Sequence, residues 1–128
     1  MIAIVTDPMP SDDELRALWL VAWGNGGPVS FQPILARGLA HVGALDQQRL
    51  VGFVNVAWDG GSHAFILDTC VDPQYRRRGI GLQLVERAIE TARARGAEWL
   101  HVDFEPQLEG FYRAAGFGPT AAGLIRLQ

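Results

Sequence analysis

Two hydrophobic periods alternate along this chain, and the switches between them mark its elements. Ile2 to Val5 is a short apolar run closed by Asp7-Pro8 and Pro10, which predicts a first strand. Ser11 then precedes Asp12, Asp13 and Glu14. A serine followed three residues later by glutamate is a capping box, and acids in a first turn suit the helix dipole, so a helix starts here. Leu15, Leu18, Trp19 and Ala22 continue it, and Gly24-Asn25-Gly26-Gly27-Pro28 is a concentrated breaker that should stop it. Ser30 stands where it could cap a second short helix through Ile34 and Leu35, ending near Gly38. From His41 the pattern becomes that of strands: His41 to Leu45, Leu50 to Trp58 and His63 to Val71, with turns at Asp46 to Arg49 and Asp59 to Ser62. Connections this short cannot cross over, so the three strands should form an antiparallel meander.

After Gly81 the helical period returns. Leu82, Val85, Ile89 and Ala92 make one apolar stripe, while Glu86, Arg87, Glu90, Arg93 and Arg95 take the other face. Gly96 ends the helix as a left-handed cap. Trp99 to Phe104 predicts a strand, Pro106 opens a helix carrying Leu108, Phe111, Tyr112 and Ala115 that ends at Gly116, and Leu124 to Leu127 predicts a last strand. The strand, helix and strand between His63 and Phe104 make a parallel pair through a right-handed crossover. The fold class is therefore α/β, with a mixed central sheet flanked by helices.

Composition narrows the picture. The length, 128 residues, fits one domain spanning 1–128, and 48% hydrophobic residues suffice for a core. A net charge of −3 argues against a general nucleic-acid binder. Cys70 is the only cysteine, so neither an internal disulfide nor a cysteine-type zinc site can form, and no metal is expected. The start of the chain lacks the basic residues and long apolar core of a signal peptide, and no apolar run approaches the roughly 20 residues that span a bilayer. The expectation is a soluble cytoplasmic protein without a membrane partner.

The chemistry concentrates in Val71-Asp72-Pro73-Gln74-Tyr75-Arg76-Arg77-Arg78-Gly79-Ile80-Gly81, between a strand and a strongly periodic helix. Amides at a helix start have no partner inside the helix and can point at an anion. Gly79 and Gly81 let the backbone approach phosphates closely, and three arginines add permanent charge. A dinucleotide fold is disfavoured, because the third glycine of its fingerprint is missing and the upstream strands look antiparallel.

Arg76 to Gly81 resembles the Q/R-x-x-G-x-G/A signature of the GCN5-related N-acetyltransferase (GNAT) family, and Phe111-Tyr112-Arg113-Ala114-Ala115-Gly116-Phe117 is similar to that family's F-Y-x-x-x-G-F segment. The two landmarks stand in the family's order, separated by the expected helix and strand. The resemblance implies a single GNAT domain in which the His63–Val71 strand splays from the next one. It implies that the amides of Arg76, Arg77, Arg78, Gly79, Ile80, Gly81 and Leu82 wrap the pyrophosphate of acetyl-CoA. It implies that the backbone around Cys70 and Val71 pairs with pantetheine, and that Tyr112 protonates the departing thiolate. The activity implied is transfer of acetyl from acetyl-CoA, a co-substrate, to an amine by direct attack in a ternary complex, within the acyltransferase class EC 2.3.1.

An alkylamine is mostly charged at neutral pH and must lose a proton before it attacks a thioester. Asp68, three residues before Val71, is the first candidate to take that proton, and Glu105, following the Trp99–Phe104 strand, is the second; many family members carry Asn in place of Glu105. Asp103 and His101 rank lower. Each has a structural reading as well: Asp68 as an acid bonded to nearby amides, Glu105 as a helix cap, Tyr112 as core. Trp19 and Trp23, four apart, either pack on the sheet or border the acceptor site. His41 and His63 read as structural and Cys70 as a small apolar strand residue. The acceptor is a small-molecule or protein amine, and a homodimer is left open. Two rival classes remain: a catalytically weak CoA-binding sensor or partner module, and a nucleic-acid binder using Arg76 to Arg78.

Overall fold

Ile2–Thr6 forms β1 and Asp12–Trp23 forms α1 in the computed structural model, which describes residues 1–128. The predicted capping box is present: Ser11 Oγ accepts from the Glu14 amide at 3.1 Å, and a Glu14 carboxylate oxygen accepts from the Ser11 amide at 3.0 Å. Such a cap is worth about 1 kcal/mol. Gly24, at φ 80°, ends α1 in the left-handed region. Then follow α2 (Gln32–Arg37), β2 (Gly38–Asp46), β3 (Arg49–Trp58), β4 (His63–Val71), α3 (Ile80–Ala94), β5 (Trp99–His101) and α4 (Glu109–Ala114), with single 3₁₀ turns at Pro73–Tyr75 and Pro106–Leu108. The five strands lie in chain order, with β1 to β4 antiparallel and β5 parallel to β4.

Alternation along the strands sorts two cores onto opposite faces. Val42, Val51, Val54, Val56 and Ile66 pack under α3, against Ile80, Leu84, Ala88 and Ala92. Phe53, Leu50 and Cys70 pack on the other face, against Leu15, Leu18 and Trp19 of α1 and against Phe31 and Leu35. The buried face of α3 is wider than the predicted stripe and rotated from it: Leu84 and Ala88 lie at its centre, while Leu82 and Ile89 are half-buried on its flanks. The helix starts at Ile80, and small Ala88 lets its axis approach the valine-lined strands. Arg87 is not a solvated face residue, because its guanidinium donates to the Ile4 carbonyl at 3.2 Å and the Thr6 hydroxyl at 3.3 Å, tying α3 to β1.

Three expectations are corrected. Ser30 does not cap α2: its hydroxyl donates to Asp12 at 3.0 Å, and Phe31 takes the cap position without a side-chain bond. β5 stops at His101 rather than Phe104. Leu124 to Leu127 form no strand, and Leu124, Ile125 and Leu127 are exposed. A four-residue segment makes a strand only where an edge can receive it, and β5 offers three residues. No helix is long and apolar enough to cross a membrane, and no group of three or more His, Cys, Asp or Glu gathers to hold a metal ion.

His41 is structural, as the sequence suggests. It is buried, and its Nε2 accepts from the Met9 amide at 3.0 Å, which requires an unprotonated nitrogen. Burial, and secondarily Arg95, hold its pKa below the ordinary value against the pull of Asp7. The folded chain therefore takes up the proton less readily than the unfolded one. Stability is full above about pH 6.5, the unfolded histidine value, and falls as pH drops from there toward the lowered folded pKa. Thermal melts stepped downward from pH 7.5 should show this loss, and His41→Gln should flatten the slope.

Candidate functional site

The segment after β4 is held open by its own backbone. Asp72 is buried; it accepts from the Gln74 amide at 2.9 Å and pairs with Arg49 at 3.1 Å, which fixes the 3₁₀ turn at Pro73–Tyr75. Arg77 (φ 65°) and Gly79 (φ 75°) then take the left-handed region, and Gly79 is the N-terminal cap residue of α3. No side chain caps this helix. The first amide in it to find a partner is that of Gln83, which donates to the Gly79 carbonyl at 3.1 Å. Every backbone N–H from Arg77 through Leu82 is consequently without a partner in the chain. These amides lie at the positive end of a 15-residue helix, beside three exposed arginines and with no acid in the first turn. Such a concave run of donors suits a pyrophosphate.

The edge leading into this loop is also open. β4 and β5 pair only at His63 with Trp99, Ala64 with Leu100 and Phe65 with His101. Beyond Phe65 the β4 edge has no strand beside it. On its other edge β4 carries a bulge: Phe53 aligns with Cys70 and Asn55 with Leu67, so Asp68 and Thr69 together oppose Val54. Asp68 sits in the left-handed region at φ 61°, an unusual conformation for a side chain other than glycine. Its surface is open to solvent, yet enough protein surrounds it that desolvation raises its carboxyl pKa above the ordinary value. Thr69 adds a buried hydroxyl with no hydrogen-bond partner. Cys70 is buried, and burial, followed by the Asp68 charge, pushes its thiol up to about 12, so it stays protonated and cannot serve as a thiolate nucleophile.

Tyr112, on α4, has a buried ring stacked on Phe104 at 4.9 Å, with Phe111 and Phe117 meeting it edge-on. Its hydroxyl bonds to nothing in the chain yet is not sealed from solvent. A rigid ring with a free phenol at its rim is what a positioned proton donor needs. α4 reaches the loop through glycine: a Cβ on Gly81 would lie 3.4 Å from Phe111 and 3.8 Å from Val71, so the start of α3, the end of β4 and α4 converge there.

Glu105 lies four residues past His101 and Asp68 three past Phe65, so both acids stand beyond the point where the two parallel strands part. Glu105 does not cap the following turn with its side chain, which accepts from Gln107 at 2.6 Å instead. Trp19 lies in the core, in edge contact with Trp23 at 4.7 Å and Phe31 at 4.9 Å, and the Gly27 backbone packs against its indole. Only Trp23, 45% exposed, has surface to offer a ligand. His63 and His101 meet at 2.7 Å on the exposed part of the sheet, where Phe65 stacks on His101. Sequence reasoning missed Thr69, the Phe104 platform under Tyr112, and a cavity lined by Arg37 and Asn55. A lone asparagine in the apolar run Leu50 to Trp58 was the available signal for the last.

The model of the Acetyltransferase (GNAT) family matches residues 8–117. The chain is 37% identical over 77 residues to GCN5-related N-acetyltransferase 1, chloroplastic, of Arabidopsis thaliana, a match covering 60% of this chain and 39% of that protein. The chain thus spans well under half the length of that curated relative. Among solved structures, a GNAT-family acetyltransferase from Streptococcus pneumoniae superposes with a TM-score of 0.82 at 26% identity, covering 100% of both chains. An aminoglycoside N-acetyltransferase in complex with CoA has a TM-score of 0.77 over 100% of this chain and 95% of its own, and at 19% identity that likeness concerns the fold alone.

Proposed function

Because the chain belongs to the GNAT acetyltransferase family, we propose that it transfers an acetyl group from acetyl-CoA to an amine, by direct attack while both are bound. The observation that carries this reading is the run of unpartnered amides from Arg77 to Leu82, continuous with the open edge of β4. A diphosphate suits the first and an extended chain of amides, such as pantetheine, suits the second.

In this reading Asp68, or a water it holds, takes a proton from the acceptor's ammonium. The freed nitrogen attacks the thioester carbonyl carbon; the C–N bond forms, the C–S bond breaks, and the Tyr112 hydroxyl protonates the departing sulfur. The nitrogen sheds its second proton through solvent, which restores the phenol, and Asp68 gives the first proton back to solvent. The raised pKa of Asp68 makes it a stronger base than an ordinary aspartate. Glu105 is the reserve candidate at the same opening. Cys70 contributes wall and backbone, and Trp23 borders the entry for the acceptor.

Two measurements test this reading. Initial rates with both substrates varied should give intersecting lines; parallel lines would mean an acetylated enzyme instead. Tyr112→Phe should lower kcat about a hundredfold while the Kd for acetyl-CoA holds, because the ring packing is kept. Equal activity would remove the phenol from the mechanism.

A further inference from the structure

Beside the bulge, on the face that carries α1 and α2, lies a cavity of about 280 Å³ between α2, β3 and β4. Arg37 and Asn55 are the polar side chains that line it, and Ile34, Trp58 and Leu67 form its apolar walls. The Asn55 side chain, 2% exposed, makes no hydrogen bond in the chain: its Oδ1 is sealed without a partner, while its amide nitrogen is unbonded and not sealed. The unpaired nitrogen is the group through which this side chain can meet a ligand, as a donor. Arg37, at the last turn of α2, has no ion pair. The Trp58 indole is held by its N–H bond to the Gly61 carbonyl at 2.8 Å, so that wall is fixed.

Arg37 and the Asn55 nitrogen are both donors, and two donors facing a small apolar space suit a carboxylate attached to a hydrocarbon body. Asn55 is the register partner of Leu67, and Leu67 is followed directly by Asp68. The cavity wall at Leu67 is therefore one residue along β4 from the proposed proton acceptor. We propose that the acceptor is an α-amino acid with an apolar side chain: Arg37 and Asn55 hold its carboxylate, Ile34, Trp58 and Leu67 its side chain, and its amino group faces Asp68. This rests on the acetyl-transfer reading above and names the substrate class. The products are the N-acetyl amino acid, CoA thiol and one proton: of the two protons that leave the ammonium nitrogen, one ends on sulfur and one in solvent.

The test pairs each amino acid with its decarboxylated amine: leucine with isoamylamine and phenylalanine with phenethylamine. Wild-type kcat/KM should favour the amino acid at least about tenfold, one charge-assisted bond's worth of discrimination. Arg37→Gln, an exposed change that leaves the core alone, should erase that preference while acetyl-CoA still raises the melting temperature. In parallel, N-acetylleucine is titrated into CoA-loaded protein by calorimetry. It should bind at least about tenfold tighter than N-isoamylacetamide, and only in the wild type. If the decarboxylated amines are acetylated equally well, or Arg37→Gln keeps the preference, the carboxylate site is wrong and the transfer reading stands. If N-acetylleucine binds as predicted but no amine is acetylated, the site stands and the transfer reading fails. If N-acetylleucine does not bind, the site is overturned.

Discussion

Gly79→Glu should abolish the thermal stabilisation that acetyl-CoA gives the wild-type protein. At a hundredfold excess over Kd, a ligand that binds only the folded state stabilises it by about 2.7 kcal/mol. For a domain of this size that is a rise in Tm of about 10 °C. Gly79 stands at φ 75° with nothing within 4 Å of a built Cβ, so a side chain there projects outward instead of into the core. The left-handed backbone costs a non-glycine residue about 1–2 kcal/mol, which lowers Tm without unfolding the chain. The glutamate also brings a negative charge to the amides that would receive the pyrophosphate. Gly79→Ala carries the same backbone strain without the charge. If the alanine variant keeps part of the shift and the glutamate variant loses it, charge at the loop is the cause. An unchanged shift in Gly79→Glu removes the phosphate-loop assignment.

Asp68→Asn should reduce turnover by about a hundredfold or more and, at neutral pH, raise the melting temperature. The two effects share one origin. Desolvation raises the Asp68 pKa in the folded state, so ionising this carboxyl costs stability. That cost is absent below the ordinary carboxyl value, grows as pH rises through the raised one, and is complete above it. Asparagine cannot ionise and removes the cost. It also tolerates the left-handed conformation at φ 61° that the bulge imposes. The wild-type kcat/KM profile should lose activity on the acid side at a higher pH than an ordinary aspartate would give, and the variant should lack that limb. A variant that is inactive but less stable would mark Asp68 as a structural acid. A stabilised variant with wild-type turnover would pass the proton-accepting role to Glu105 or to solvent.

The sequence was informative where a local rule decides the outcome. Ser11 and Glu14 cap α1 because both partners of the motif lie within one turn. Gly24 and Gly96 end helices because their left-handed conformations suit glycine. The meander of β2 to β4 follows from turns too short to do anything else. Tertiary pairing decided the rest. Nothing within Leu124 to Leu127 says whether an edge waits for it, and nothing within Trp99 to Phe104 says that β4 and β5 part after His101. The bulge was equally hidden, since Asp68 reads as a plain strand position until Phe53 and Asn55 are seen to skip two residues opposite them. Trp19 and Trp23 share a helix face at four-residue spacing, and only the packing of Phe31 and Gly27 places the first in the core and leaves the second exposed. The loop amides, by contrast, were legible in outline, because glycine at the start of a helix signals open donors wherever the helix goes.

The most direct test of acetyl transfer is to incubate the protein with acetyl-CoA and a panel of amines and amino acids, follow CoA thiol release, and take the intact mass of each acceptor. Thiol released only in the presence of an acceptor, matched by an acceptor heavier by one acetyl group and lost in Asp68→Asn, is the predicted result. Acetyl-CoA that binds and stabilises the protein but is hydrolysed at the same slow rate with or without every amine would contradict it, and would leave the chain as a CoA-binding module.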